Sequence, residues 1–363
     1  SSDFYTYRYL ATEGFLPGYN FPRLPLMAYV PSANDGRGRQ TYLQRPRFLA
    51  LSEFGPRSLV YHEGRAFQVD KVMFALGHRD SVTADVKLPT KSVRICRSCG
   101  AGHFTPDDSI CHSCNASLGD SEIVREIFRV ENVSTRQVER ITANDEERRR
   151  QGFELQTIYE WSKREGRIDI RRGIALCADE VIADLTYGAT ATITRINKGL
   201  KRRRNRTQFG FQIDPLSGYW AKNPDEDEST PDPMAKPRQW IVPSVEDRKN
   251  ALFIRPSIPE KELNPKTVAT IQYGLLRGIE EVFQLEEGEI LAEPMPSSDA
   301  RSGFLLYEAA EGGAGVLTRL VTNAESLADV AREALKIMHF DLSDKMPTST
   351  DELLDVGTNL CVA

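Results

Sequence analysis

The hydrophobic and polar positions of this 363-residue chain change their period along its length. Up to about residue 250, apolar residues alternate with polar ones or gather in short β-branched and aromatic runs, the pattern of half-buried strands. Ser58 to Phe74 places such runs on both sides of Glu63-Gly64, where glycine takes the positive φ of a tight hairpin turn. Further strands are expected over Arg23–Val30, Ile123–Val130, Phe153–Trp161, Arg167–Ile182, Ala189–Ile196 and Phe209–Asp214. Beyond 250 the period lengthens. Leu252–Arg255 is a short strand, and Asn264-Pro265 caps and starts a helix in which Val268, Ile271, Leu275, Ile279, Val282 and Phe283 keep helical spacing. Strands over Gly288–Ala292 and Gly303–Ala309 follow. Glu311-Gly-Gly-Ala-Gly315 then turns into a last long helix carrying Val316, Leu320, Leu327, Val330 and Met338 on one side. Between these elements Leu16–Pro22 reads as a turn and Asn144–Gln151 as a short polar turn capped by Asn144. Asn223–Pro233, acidic and rich in proline, reads as a solvated or disordered loop.

Composition narrows the function classes. With 40% hydrophobic residues the chain is long enough for two or three domains, each with its own core. A formal charge of −5 excludes a protein that coats nucleic acid along its whole length, so any such role rests on local patches. No apolar run approaches the roughly 18 residues that span a bilayer, and Ser1–Thr6 lacks the features of a signal peptide, so a soluble, cytoplasmic chain with no membrane partner is expected. Asn359–Ala363 stops on an apolar run without a cap, which reads as a cut through something longer.

Four of the six cysteines fall within CRSCGAGHFTPDDSICHSC, residues 96 to 114. Cys96-x2-Cys99 and Cys111-x2-Cys114 are two knuckles separated by turn-forming residues, and two knuckles complete a tetrahedral four-thiolate zinc site. Disulfides and an iron–sulfur cluster suit the spacing less well. His103 and His112 lie inside the block as substitutes or bystanders. Four protein ligands leave no open position for an activated water, so the expected Zn²⁺ is structural. Cys177 reads as a small buried hydrophobe.

The fold class this predicts is α+β: β-rich N-terminal and middle regions, an inserted four-cysteine zinc ribbon, and a C-terminal α/β unit. The expected divisions are 1–91, 92–120, 121–250 and 251–363. Arg195 to Arg206 carries seven cations and no acid between two expected strands, the composition of a phosphate-contacting loop or of a solvated one. The glycines of 311–315 offer either an anion site or close packing of strand on helix. There is no Walker A sequence and no hydrolase, zincin or kinase motif; Glu289, Glu293 and Glu308 are the one carboxylate set that suggests a metal-dependent nuclease.

Several segments together resemble the C-terminal region of large bacterial superfamily 2 DEAD/DEAH-box helicases. They are Thr12–Pro22, Ala50–Pro56 ahead of the Val60–Arg65 hairpin, the double knuckle, Thr142–Gly152 and Leu306–Gly315. The last is similar to the glycine motif of the DUF1998 domain, the zinc-binding domain of mitomycin-repair-type helicases, and the whole resembles helicases of phage-defence islands such as DISARM. The resemblance implies a non-catalytic accessory domain that binds or guides DNA for an ATP-driven N-terminal motor of the same chain, with possible defence-complex subunits as further partners. Lys201, Arg202, Arg203, Arg204 and Arg206 are then the expected nucleic-acid contacts. In mitomycin-repair-type relatives the zinc cysteines follow the glycine motif, whereas here they precede it, and Cys361 is a candidate first residue of a second cluster. A scaffold that docks a protein subunit is the alternative, and the nuclease a weaker one.

Overall fold

The computed structural model describes residues 25–31, 41–74, 87–105, 108–138, 152–221, 238–257, 259, 264–309 and 315–339. The turns expected at 16–22 and 144–151, the acidic segment 223–233, glycine-motif residues 311–314 and Cys361 lie outside them.

In chain order the strands are β1 (Leu26–Val30), β2 (Thr41–Arg45), β3 (Leu59–His62), β4 (Arg65–Met73), β5 (Lys91–Ile95), β6 (Gly102–His103), β7 (Glu122–Arg129), β8 (Asn132–Val138) and β9 (Phe153–Glu160). They continue with β10 (Lys163–Arg164), β11 (Arg167–Ile168), β12 (Arg171–Cys177), β13 (Glu180–Leu200), β14 (Phe211–Ile213), β15 (Gln239–Pro256), β16 (Ile290–Met295) and β17 (Gly303–Glu308). The helices are α1 (Arg47–Glu53), α2 (Pro265–Phe283), α3 (Val316–Thr322) and α4 (Ser326–Ile337). The fold is therefore strand-rich α+β, as the hydrophobic pattern predicts.

Two sheets carry it. The smaller has the order β2-β1-β8-β4-β3, and the expected hairpin β3–β4 turns at Glu63 and Gly64, both at positive φ (48° and 72°). The larger has ten strands built on β13 and β15, which pair antiparallel over twelve residue pairs from Ala183↔Pro256 to Ile196↔Ser244. On its other edge β13 pairs first with β12 and then with β9, while β15 takes β7, β14 and β17. A cluster around Val69, Val72, Ile213, Trp220 and Ile241 joins the two sheets.

The C-terminal helices cover one face of the large sheet, packing on Leu185, Tyr187, Leu252, Ile254 and Phe304. Asn264 caps α2 through Thr267 N (2.9 Å), with Pro265 as its first residue. Val268 and Ile279 are buried as expected, whereas Val282 is exposed. The expected single final helix is two: Asn323 adopts an extended conformation that ends α3, its side chain accepts from Glu325 N, and α4 starts anew at Ser326. Helices α2 and α4 meet across glycines. A Cβ on Gly278 would lie 2.4 Å from the Val330 carbonyl oxygen, an approach only hydrogen permits.

Gly278→Ala decides between two effects. Alanine improves helix propensity by up to about 1 kcal/mol, but overpacking against a backbone atom costs about 1–3 kcal/mol. At 2.4 Å from a backbone oxygen the second wins. A thermal melt is expected to show a lowered transition; an unchanged or raised one removes the close α2–α4 packing.

Candidate metal centre and basic loop

The two knuckles are built alike. In the first, Gly100 N donates to Cys96 O (2.9 Å) and Cys96 N to Ala101 O (3.0 Å); in the second, Asn115 N donates to Cys111 O (3.0 Å) and Cys111 N to Ala116 O (2.8 Å). Each turn closes on a left-handed residue, Gly100 (φ 79°) or Asn115 (φ 60°), types that tolerate it. The loops thus face each other and bring the four sulfurs within 4.8 Å of one another. Cys96 and Cys114 are 3.6 Å apart, as are Cys99 and Cys111. A tetrahedron of thiolates at about 2.3 Å from zinc has edges of about 3.8 Å, so the donor set fits a structural Zn²⁺.

Electrostatics point the same way. Hydrogen bonding from Cys111 lowers the Cys96 thiol to about 6, and hydrogen bonds from Cys111 also pull Cys114 down and push Cys99 up. Without a cation the cluster holds only part of its thiolate charge; a dication at its centre stabilises all four. Among the described residues, this is the one group of three or more cysteine, histidine or acidic side chains that could hold a metal. His103 and His112 stand beside it, their ring centroids 4.4 Å apart and their planes tilted by 48°, with His103 Nδ1 3.2 Å from the Asp108 carboxylate and His112 Nε2 donating to Gly102 O (3.2 Å). Burial pushes His112 down to about 4 and lowers His103 as well, which keeps both rings neutral near pH 7.

What supports the thiols was not visible in their spacing. Trp161 Nε1 donates to Ser113 Oγ (3.0 Å), which also shares a hydrogen bond with the Tyr159 hydroxyl (3.0 Å). Ser113 N in turn points at Cys111 Sγ (3.4 Å). Both rings are buried beneath the cluster together with Met295, Phe253 and Tyr307. The ribbon seats on the β16–β17 hairpin: Ser302 Oγ donates to Ser98 O (2.7 Å), and a Cβ on Gly100 would meet Met295 Sδ at 2.8 Å. Cys177, expected in a core, is exposed at the end of β12, because an edge hairpin has one face in solvent.

The basic run divides into two parts. Arg195 and Lys198 belong to β13, since that strand extends to Leu200. Arg195 pairs with Glu293, donates to Thr157 Oγ1 (3.2 Å) and lies over Phe48. Lys198, its side chain 7% exposed, pairs with Glu122 (2.6 Å). Arg203 folds back onto Glu154 (2.6 Å), the Leu200 and Arg206 carbonyls and the Phe209 ring, and its side chain is 11% exposed. Lys201, Arg202, Arg204 and Arg206 are exposed and make no ion pair among the described residues.

The glutamates are not brought together as a metal site. Glu293 is held by Arg195 and by the Tyr307 hydroxyl (3.3 Å). Exposed Glu289 accepts from Glu286 N (2.9 Å). Glu308, 1% exposed, accepts from Leu317 N at the start of α3 (3.2 Å) and from Asn250 Nδ2 (2.9 Å). The strand-to-helix turn thus receives its anion from its own chain. No helix among the described residues is long and apolar enough to cross a membrane.

Residues 271–340 match the model of the MrfA Zn-binding domain, a segment that contains no cysteine. No curated protein sequence matches the chain. Among solved structures, the chain is similar to a DUF1998 helicase MrfA bound to DNA, at 10% identity and a TM-score of 0.39, covering 87% of this chain and 30% of that one. MrfA bound to DNA and AMPPNP gives 9% and 0.32, with 87% and 28% covered. MrfA alone gives 12% and 0.30, with 87% and 30% covered. The chain therefore spans less than a third of those helicases, and overlap this loose does not place individual residues.

The support around Ser113 carries a prediction. Ser113→Ala strips Trp161 Nε1 of its acceptor and loosens the second knuckle, and a chelator competition is expected to show zinc affinity reduced about 10- to 100-fold. The unsubstituted chain is expected to hold one zinc by elemental analysis, and under half an equivalent in fresh protein counts against the site.

Proposed function

We propose that this chain, whose residues 271–340 match the MrfA Zn-binding domain, is a non-catalytic accessory region of a DNA helicase that grips or guides nucleic acid for an ATP-driven motor encoded elsewhere in the same protein. Cys96, Cys99, Cys111 and Cys114 hold the structural Zn²⁺, which ties the ribbon to the β16–β17 hairpin and takes no part in chemistry. A cytoplasmic place and a role in defence against phage fit this reading. The observation that carries it is the division of the basic run. Arg195, Lys198 and Arg203 have carboxylate partners, while Lys201, Arg202, Arg204 and Arg206 stay in solvent on a loop that Arg203 braces from within. Clustered exposed cations without acids are what phosphate contact requires, and they read no sequence.

A second reading, a scaffold that docks a protein subunit, is favoured by the β12–β13 hairpin, where Ile174, Leu176, Val181 and Ile182 are 40–55% exposed. DNA titration separates the two. Replacing Lys201, Arg202, Arg204 and Arg206 together with alanine is expected to weaken DNA binding equally across sequences. It should also reduce the slope of log affinity against log salt by about 3 to 4. Unchanged affinity and slope remove the loop from the interface, and no DNA retention by the unsubstituted chain leaves the scaffold reading. Cleavage of the DNA on adding magnesium would instead revive the nuclease.

A further inference from the structure

The five-stranded sheet has one face on the core and one in solvent, and the solvent face carries rings. Along β1 the burial alternates, with Leu26, Ala28 and Val30 inward and Met27 and Tyr29 outward. Strand register carries the outward set across the sheet. Tyr42 of β2 lies opposite Tyr29, Tyr29 beside Ser134 of β8, and Ser134 opposite Lys71 of β4. Lys71 is bridged in turn to Tyr219, in the turn after β14. Residues opposite one another on neighbouring strands share a face, so these five form one transverse row about 19 Å long at about 4.8 Å per strand. The Tyr29 and Tyr42 rings are 5.7 Å apart, and Lys71 Nζ lies 5.1 Å from the Tyr219 ring centroid. Tyr42 and Tyr219 are 43% and 49% exposed.

The adjoining rows extend the same chemistry. Met27, Asn132 and Met73 align on one side, and Arg136, Gln68 and Leu59 on the other, with exposed Tyr61 beyond. These rows contain two cations and no carboxylate. Asp70 at the β4 bulge is partly buried; burial pushes its carboxyl up, while Arg136 and Lys71 lie near enough to pull it back down. A ring pair, Tyr42 and Tyr29, and a third ring, Tyr219, beyond Lys71 offer flat faces beside cations, a combination that can stack bases and hold their phosphates. Flat rings on an open sheet can stack only on unpaired bases. The basic loop is close along the chain: Lys201–Gly210 precedes β14 and the Asp214–Tyr219 turn follows it, and the three residues of β14 span about 10 Å.

We propose that the row formed by Tyr42, Tyr29, Lys71 and Tyr219 is a stacking platform for single-stranded nucleic acid, with Lys71 and Arg136 holding the backbone. The platform rests on the nucleic-acid reading above and adds the strand form that the basic loop, being blind to it, does not select.

The test uses the full chain, a short fluorescein-labelled poly-dT strand and a duplex of the same length, read by anisotropy. Tyr42→Ala with Tyr219→Ala is expected to weaken poly-dT binding at least about tenfold. Duplex affinity and the salt slope should not move, and the paired Phe substitutions should restore poly-dT binding. Undiminished poly-dT binding by the alanine variant, an equal loss for duplex, or binding of duplex alone by the unsubstituted chain overturns the platform and leaves the loop's role standing. Binding of neither probe overturns both. Should the alanine variant fail to fold, photocrosslinking of iodouracil-substituted strand to the unsubstituted chain decides: crosslinks at Tyr29, Tyr42 or Tyr219 support the platform, and crosslinks only elsewhere sink it.

Discussion

The antiparallel pairing of β13 with β15 is the constraint on which the other elements depend. Both strands are long enough to take two different partners in succession along their free edges. The change of partner on β13 falls beside a break in register between Gly188 and Ala191. Gly188 is needed there because a Cβ would lie 2.6 Å from the Trp161 ring. The space it leaves lets Trp161 reach between the sheet and the zinc ribbon and donate to Ser113. A glycine in the spine thus determines where the metal site sits, although no ligand lies near it in sequence.

Charge then fixes how the neighbouring strands attach. Arg195–Glu293, Lys198–Glu122 and Arg203–Glu154 each join β13 or its following loop to a different strand, and each has at least one partner largely withdrawn from water. Such pairs add little net stability over apolar packing, but a slip in register would leave one charge buried alone, which is costly. The basic run therefore serves the fold first. Only the cations left over after this pairing are free to face a polyanion, which is how a chain of net charge −5 can present a local positive surface.

What the sequence disclosed was what is decided locally. Glu63-Gly64 forces a turn whatever surrounds it, Asn264-Pro265 starts a helix, and two cysteine pairs make two knuckles because each closes within a few residues. Contacts between distant segments were not legible. β1 pairs with β8 and β7 with β15, both in parallel and across more than a hundred residues, and nothing in either strand's alternation names its partner. The same blindness hid Tyr159, Trp161 and Met295 beneath the thiols, and it made Cys177 look buried when its apolar neighbours lie on an edge hairpin. The length of β13 was hidden too. A run of arginine and lysine signals a loop, yet stacking on Phe48 and Phe209 together with three glutamates keeps its first members in a strand and folds Arg203 inward.

The position of the metal relative to the matched segment has a physical explanation of its own. Residues 271–340 contain no cysteine, yet they supply the seat of the knuckles: Met295 packs on Gly100, Ser302 holds the Ser98 carbonyl, and Tyr307 joins the core beneath Trp161. A thiolate cluster of this kind needs a dry support and fixed hydrogen-bond donors, and it is indifferent to which end of the chain they come from. The β16–β17 hairpin provides the support through β17, itself held on β15. Where the cysteines stand in the sequence is therefore a weaker constraint than where their knuckles land. A ribbon inserted ahead of β7 reaches this seat because β5 and β7 continue the sheet that β15 and β17 share.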